Sequence, residues 1–144
     1  MNKDIDIIIY GATGFTGQLC VKYFQSLETK VSWAIAGRNL EKLKKVAQEN
    51  QTNVEILVAD ADDEPALDNL TSRAKVILSS AGPFHRYGSK LVASCVRNNC
   101  HYVDITGENF WVKELIEKHH AEASAKGLRI IPSCGFDSIP SDLG

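Results

Sequence analysis

The sequence predicts an α/β fold, a doubly wound parallel sheet with helices on both faces. Two observations predict it. Six short apolar runs, rich in β-branched residues, alternate with longer stretches whose apolar residues recur at helical spacing. The links between them are short, and neither a fixed-period repeat nor a low-complexity linker interrupts the 144 residues. Strict alternation implies parallel strands joined by crossover helices, which cover both sides of one sheet. A chain of this length makes one domain, and the expected strand order is 3-2-1-4-5-6.

The first strand is the β-branched run from Ile5 to Tyr10, ended by Gly11. Leu19, Cys20, Tyr23, Phe24 and Leu27 then form the stripe of a first helix. Val31 to Ala36 is a second strand. Asn39 is an N-cap candidate for a helix with Leu40, Leu43, Val46 and Ala47 inward. Val54 to Val58 makes a third strand, an acidic turn follows at 60–64, and a short helix carries Leu67 and Leu70. Val76 to Leu78 is a fourth strand; after a loop rich in Gly and Ser, a helix buries Leu91, Val92, Cys95 and Val96. Tyr102 to Ile105 is a fifth strand. The next stripe is Trp111, Val112, Leu115, Ile116, His119 and Ala123, closed by Gly127 as a C′ residue. Leu128 to Ile131 is the sixth strand, stopped by Pro132. Beyond it, Phe136, Ile139 and Leu143 are apolar with no evident packing partner, so a frayed tail is expected.

Composition narrows the class. A hydrophobic content of 44% supports a packed core and excludes a disordered chain. A formal charge of −2 provides no basic field for nucleic acid or an anionic membrane. The apolar run near the N-terminus, Ile7 to Tyr10, is too short to span a bilayer and follows Asp4 and Asp6, so it does not read as a signal peptide. The four cysteines are too few for a disulfide scaffold. A cytoplasmic location with reduced thiols is the expectation.

The informative segment is Gly11-Ala12-Thr13-Gly14-Phe15-Thr16-Gly17, between the first strand and the first helix. Such a turn aims backbone N–H groups at the positive end of a helix dipole, where a pyrophosphate can sit without side-chain charges. Gly11 allows the tight turn, Gly14 the close approach of phosphate, and Gly17 the packing of helix on strand. In a strand–turn–helix context this is a dinucleotide fingerprint of the Rossmann type, with one extra residue before the second glycine. An NAD site places an acid about 20 residues downstream to accept from the ribose 2′-OH. Here Ala36-Gly37-Arg38 stands at that strand end. A guanidinium matches a 2′-phosphate in charge and fork geometry, so NADP is favoured over NAD. Asp60 closes the third strand, either at the adenine edge or as a turn acid. Ser80, Ala81, Gly82 and Pro83 follow the fourth strand at the topological switch point, where small residues let a ribose or diphosphate lie against backbone.

No catalytic residue is identifiable. Tyr87 and Lys90 are three residues apart with a glycine between them, not the i, i+4 spacing of a Tyr/Lys acid–base pair, and the segment falls too early in the fold. Cys95, Cys100 and His101 lack zinc-ligand spacing, and no metal site is expected. His119 lies on an apolar stripe and reads as a core or boundary residue. Cys134 and Asp137 read as turn and cap chemistry.

Gly11 to Gly17, Ala36 to Arg38, Ala81 to Phe84 with Tyr87-Gly88, Tyr102 to Glu108, and Cys134 to Gly144 together resemble the N-terminal domain of saccharopine dehydrogenase-like oxidoreductases. That group includes a branch described as trans-acting enoyl reductases. The resemblance implies an NAD(P)-dependent oxidoreductase that transfers hydride between nicotinamide and a small-molecule or acyl substrate. It also implies a cofactor site at the glycine turn, Arg38 and the Gly82-Pro83 loop. Chains of that family continue into a second, mainly β domain for substrate contacts and dimerisation. Residues 1–144 are therefore expected to be the dinucleotide-binding domain alone, inactive by itself and a possible homodimer when complete. The alternative is a dinucleotide or redox sensor that uses the same fold without turnover.

Overall fold

Ile5, Ile7, Ile8 and Ile9 suit a strand covered on both faces, and β1 (Ile5–Tyr10) lies in the middle of the sheet. The structure is a computed structural model describing residues 2–143. It pairs β1 with β2 (Trp33–Gly37) on one side and β4 (Ala74–Ser79) on the other. β3 (Glu55–Val58) extends the sheet past β2, and β5 (His101–Asp104) and β6 (Ile130–Ile131) extend it past β4. Every pairing is parallel, in the order β3-β2-β1-β4-β5-β6. Tyr10 stands opposite both Ala36 and Ser79, so β1, β2 and β4 end level and their following loops share one edge.

Alternate residues of β1 face two separate cores. Ile9 packs with Ala12, Val21, Ile35, Leu43 and Val46, under α1 (Phe15–Ser26) and α2 (Leu40–Glu49). Ile8 and Tyr10 face Leu67, Leu70, Leu91, Val92 and Trp111. Those come from α3 (Glu64–Arg73), α5 (Ser89–Arg97) and α6 (Asn109–Ala125). Helices cover both faces, as the alternation predicts.

Local chemistry sets the helix ends. The Asn39 carboxamide accepts from Lys42 N at 2.9 Å to start α2, and Asp63 accepts from Ala66 N at 3.0 Å to start α3. Gly127, at φ +65°, terminates α6 as the C′ glycine. Two short helices were not foreseen: α4 (Phe84–Tyr87) and α7 (Ile139–Leu143). α7 replaces the expected fraying with a turn of helix, although Phe136 and Leu143 stay exposed as anticipated.

The first helix also turns differently from its expected stripe. Gly17 and Val21 are its buried residues, Cys20 and Phe24 are half-buried, and Leu19 and Tyr23 face solvent. A Cβ on Gly17 would lie 2.1 Å from the Gly11 carbonyl oxygen, so this glycine is the point of closest approach to the turn. That contact fixes the helix rotation and carries Leu19 and Tyr23 outward. Among the described residues, no helix is long and apolar enough to cross a membrane.

Candidate functional site

The glycine turn folds back on the sheet through its own backbone. Gly11 N and Ala12 N both donate to the Ala36 carbonyl, at 3.0 and 3.2 Å, and Gly14 N donates to the Gly11 carbonyl at 3.1 Å. Gly11 sits at φ +84°, and a Cβ there would meet Ala81 N at 2.9 Å. Both constraints demand glycine. Gly17 is demanded by the helix contact described above. Gly14 differs. Its backbone is extended, and an added Cβ would find only the Gly11 oxygen, at 3.5 Å. Nothing inside the protein requires the missing side chain, so the space in front of Gly14 is open.

Gly14 is also the N-cap of α1, with no side-chain cap bond and no acid in the first turn. The first N–H groups of a helix have no intrahelical partner, so the positive end of this helix is uncompensated.

A cavity of about 240 Å³ opens at this point. Gly11, Thr13 and Gly14 line it from the turn, and Arg38 with Gly37 from the end of β2. Asp60 and Ala61 contribute from beyond β3, and Ser80, Ala81 and Gly82 from beyond β4. The structure thus brings four segments, distant in sequence, to one opening at the carboxyl ends of the strands, where ligands of such sheets bind. The other sequence-predicted residues lie off the cavity wall. Phe15 is 84% exposed, Thr16 is half-buried, Gly17 packs against the turn, and Pro83 is the exposed N-cap of α4. Asp60 lines the cavity, and its carboxylate accepts from Asp62 N at 2.9 Å within the acidic turn.

The open space at Gly14, the bare helix terminus and the Arg38 guanidinium on the same wall fit a dinucleotide carrying a pyrophosphate and a 2′-phosphate. Sequence reasoning missed three wall residues, Tyr10, Ala61 and Tyr87. Tyr10 read only as the last residue of a strand. Its hydroxyl donates to the Ala59 carbonyl at 3.3 Å, and burial, with Asp60 nearby, pushes its pKa up to about 12.

Two carboxylates hold the loops over β4, β5 and β6. Asp104, at 2% exposure, accepts from Thr106 N and Ser133 N at 2.9 Å each and from the Tyr102 hydroxyl at 2.7 Å. Burial pushes its carboxyl up from the ordinary value. Glu108 accepts from Phe84 N at 2.6 Å and pairs with the His85 ring. Partial desolvation opposes ionisation, but these bonds keep its pKa below the ordinary value. The Asp-x-Thr and Thr-Gly-Glu spacings after β5 are the signals that could have found this cluster.

Lys90 Nζ bonds Asp62 at 3.0 Å. Cys95 and Cys100 are buried, and no metal-holding cluster forms among the described residues. His119 is a half-buried boundary residue whose pKa burial lowers.

Comparison with known proteins agrees with this geometry. Residues 7–131 match the family described as saccharopine dehydrogenase NADP binding domain. The chain is 42% identical over 144 residues to a trans-acting enoyl reductase of Mycobacterium leprae (strain TN), covering 98% of this chain and 34% of that protein. It is 36% identical over 148 residues to a lipid droplet localized protein of Caenorhabditis elegans, covering 96% of this chain and 35% of that one. Among solved structures, apo saccharopine dehydrogenase (L-Glu forming) from Saccharomyces cerevisiae aligns with a TM-score of 0.76. That alignment covers 93% of this chain and 28% of the yeast chain at 19% identity, which shows the shared fold. The chain spans about a third of the length of the curated relatives it matches. With the family match running from β1 through β6, the chain belongs to the saccharopine dehydrogenase NADP-binding domain family.

Proposed function

We propose that this chain is the NADP(H)-holding part of a reductase that delivers hydride to an enoyl or related acyl substrate. The observation that carries the cofactor reading is the convergence of Gly14, Arg38 and Ser80–Gly82 on one cavity. In this reading the N–H groups of Thr13 and of the first turn of α1, Phe15, Thr16 and Gly17, hold the pyrophosphate. Gly14 keeps the approach clear, and Gly11 and Gly17 shape the turn. The Arg38 guanidinium, with Gly37 leaving room, binds the 2′-phosphate. Asp60 lies at the adenine end, while Ser80, Ala81, Gly82 and Pro83 border the ribose and diphosphate.

When bound, the reduced nicotinamide supplies the hydride. The chain's own residues bind and orient it, and Asp104 and Glu108 keep the neighbouring loops in place. Support for an acyl substrate comes from the name of the mycobacterial relative. Hydride transfer needs a substrate carbon held about 3–3.5 Å from the nicotinamide with water excluded. We place that closure, and any dimer contact, in the remainder of a protein as long as those relatives.

Titration calorimetry with NADPH and NADH tests the cofactor reading. NADPH is expected to bind at least tenfold more tightly. Absence of binding at millimolar NADPH and NADP⁺ overturns it. For the substrate, a protein of the relatives' full length is expected to oxidise NADPH with an enoyl thioester, whereas keto-acid and imine substrates leave NADPH unconsumed.

A further inference from the structure

We propose that Tyr87 is the platform on which the adenine ring of the cofactor stacks, and so a determinant of specificity for the adenine end. The proposal rests on the NADP reading above. Tyr87 lines the cavity together with Gly37, Arg38, Asp60 and Ala61, the residues from the ends of β2 and β3. The Lys90–Asp62 bond, at 3.0 Å, ties the start of α5 to the turn after β3 and so holds the Tyr87 wall against the adenine end.

The ring is rigidly mounted. Tyr87 N donates to the Pro83 carbonyl at 3.1 Å and Gly88 N to the Phe84 carbonyl at 2.6 Å. The next residue packs tightly on the Trp111 ring, which a Cβ on Gly88 would meet at 2.6 Å. Trp111 is itself pinned through Nε1 to the Ser89 hydroxyl at 2.9 Å. No hydrogen bond to the Tyr87 hydroxyl is made among the described residues, so the side chain is not there for an internal polar contact. Its ring carries the Arg86 guanidinium, 5.3 Å from the centroid, and an aromatic face already holding a cation is electron-rich enough to stack with a purine. A half-buried, pre-positioned aromatic on a cavity wall beside a guanidinium suits a purine joined to an anionic ribose phosphate.

The test uses adenosine 2′,5′-bisphosphate and NADP⁺, with affinity by calorimetry and the adenine H2 and H8 signals by proton NMR. Ring stacking moves those signals upfield on the wild-type chain and on Tyr87→Phe. Tyr87→Ala is expected to lose that shift and to weaken both ligands by about 5- to 100-fold, the range of base–aromatic stacking. Tyr10, the other aromatic on this wall, is unchanged in every variant, so a shift kept in Tyr87→Phe and lost in Tyr87→Leu, which keeps the bulk without the ring, assigns the stack to Tyr87 even if Tyr87→Ala is less stable. Binding by wild type with unshifted adenine signals overturns the proposal and leaves the cofactor reading intact. So does a Tyr87→Ala affinity within twofold of wild type. Failure of the wild type to bind either ligand overturns both.

Discussion

Replacing Gly14 with serine and Gly17 with alanine separates a glycine kept for a ligand from one kept for the fold. A Cβ on Gly17 would meet the Gly11 oxygen at 2.1 Å and Ala12 Cα at 2.8 Å. Both are backbone atoms, so helix and turn must move apart. Overpacking of this kind costs about 1–3 kcal/mol or more, and at roughly 3 °C per kcal/mol for a domain of this size Tm falls by about 3–9 °C or further. At Gly14 the nearest obstacle is 3.5 Å away, and φ is −75°, which any residue adopts. Serine is a preferred N-cap, and its hydroxyl can accept from the free N–H groups of α1, so the apo Tm should hold or rise slightly. The same hydroxyl occupies the donors and the space that the pyrophosphate needs. Thermal denaturation with NADPH at about 100 times its dissociation constant should add roughly 2.7 kcal/mol to wild type, a shift of about 8 °C. Gly14→Ser should show almost none of it. A full NADPH shift in Gly14→Ser refutes the reading of that space, and a Gly17→Ala chain as stable as wild type refutes the packing argument.

Arg38→Asp removes a charge-assisted contact worth about 1.5–3 kcal/mol and adds repulsion. NADPH affinity should therefore fall by about ten- to a hundredfold or more while NADH affinity holds or improves; equal losses for both in calorimetry would show that Arg38 serves the fold. Asp104→Asn probes the buried carboxylate by pH. A raised folded-state pKa means the group stabilises fully below its unfolded value, near 3.8, and loses that contribution as pH rises through the folded value. Asparagine does not titrate, so the Tm of Asp104→Asn relative to wild type should climb as pH rises from about 4 toward neutrality; a difference that stays flat with pH would refute the account.

The strands were legible because a parallel strand covered on both faces is a continuous apolar run, and all six fell within two residues of their expected places. Strand order followed from alternation alone. Helix faces were less legible. Leu19 and Tyr23 have the spacing of an inward stripe, yet the Gly17–Gly11 contact sets the rotation, and a contact between residues with no side chains leaves no trace in hydropathy. The glycine turn, Arg38 and the loop after β4 were legible as one cavity wall because the carboxyl ends of β1, β2 and β4 meet at the switch point of such a sheet. Tyr87 was not, because a lone tyrosine after a glycine-rich loop carries no spacing signal. Lys90, set aside from sequence as its acid–base partner, reaches Asp62, 28 positions away.

From β1 and β2 across to β6, the edge of the sheet is divided by which backbone donors are free, and this chain's own residues divide it. Above β1 and β2 the available groups are bare N–H donors at the start of α1 and the exposed Arg38 guanidinium. Above β4, β5 and β6, carboxylates already use the backbone donors: Asp104 takes Thr106 N and Ser133 N, and Glu108 takes Phe84 N. A donor bonded to a protein carboxylate is closed to a phosphate, and the carboxylate repels one. On the proposed reading, phosphate groups lie on the β1–β2 side, and the β5–β6 side takes an uncharged or cationic ring. The direction in which a dinucleotide lies across the sheet then follows from where the acids sit as much as from the glycines. Moving one acid across the divide, as Arg38→Asp does, should disturb the phosphate end selectively and leave the opposite end unchanged.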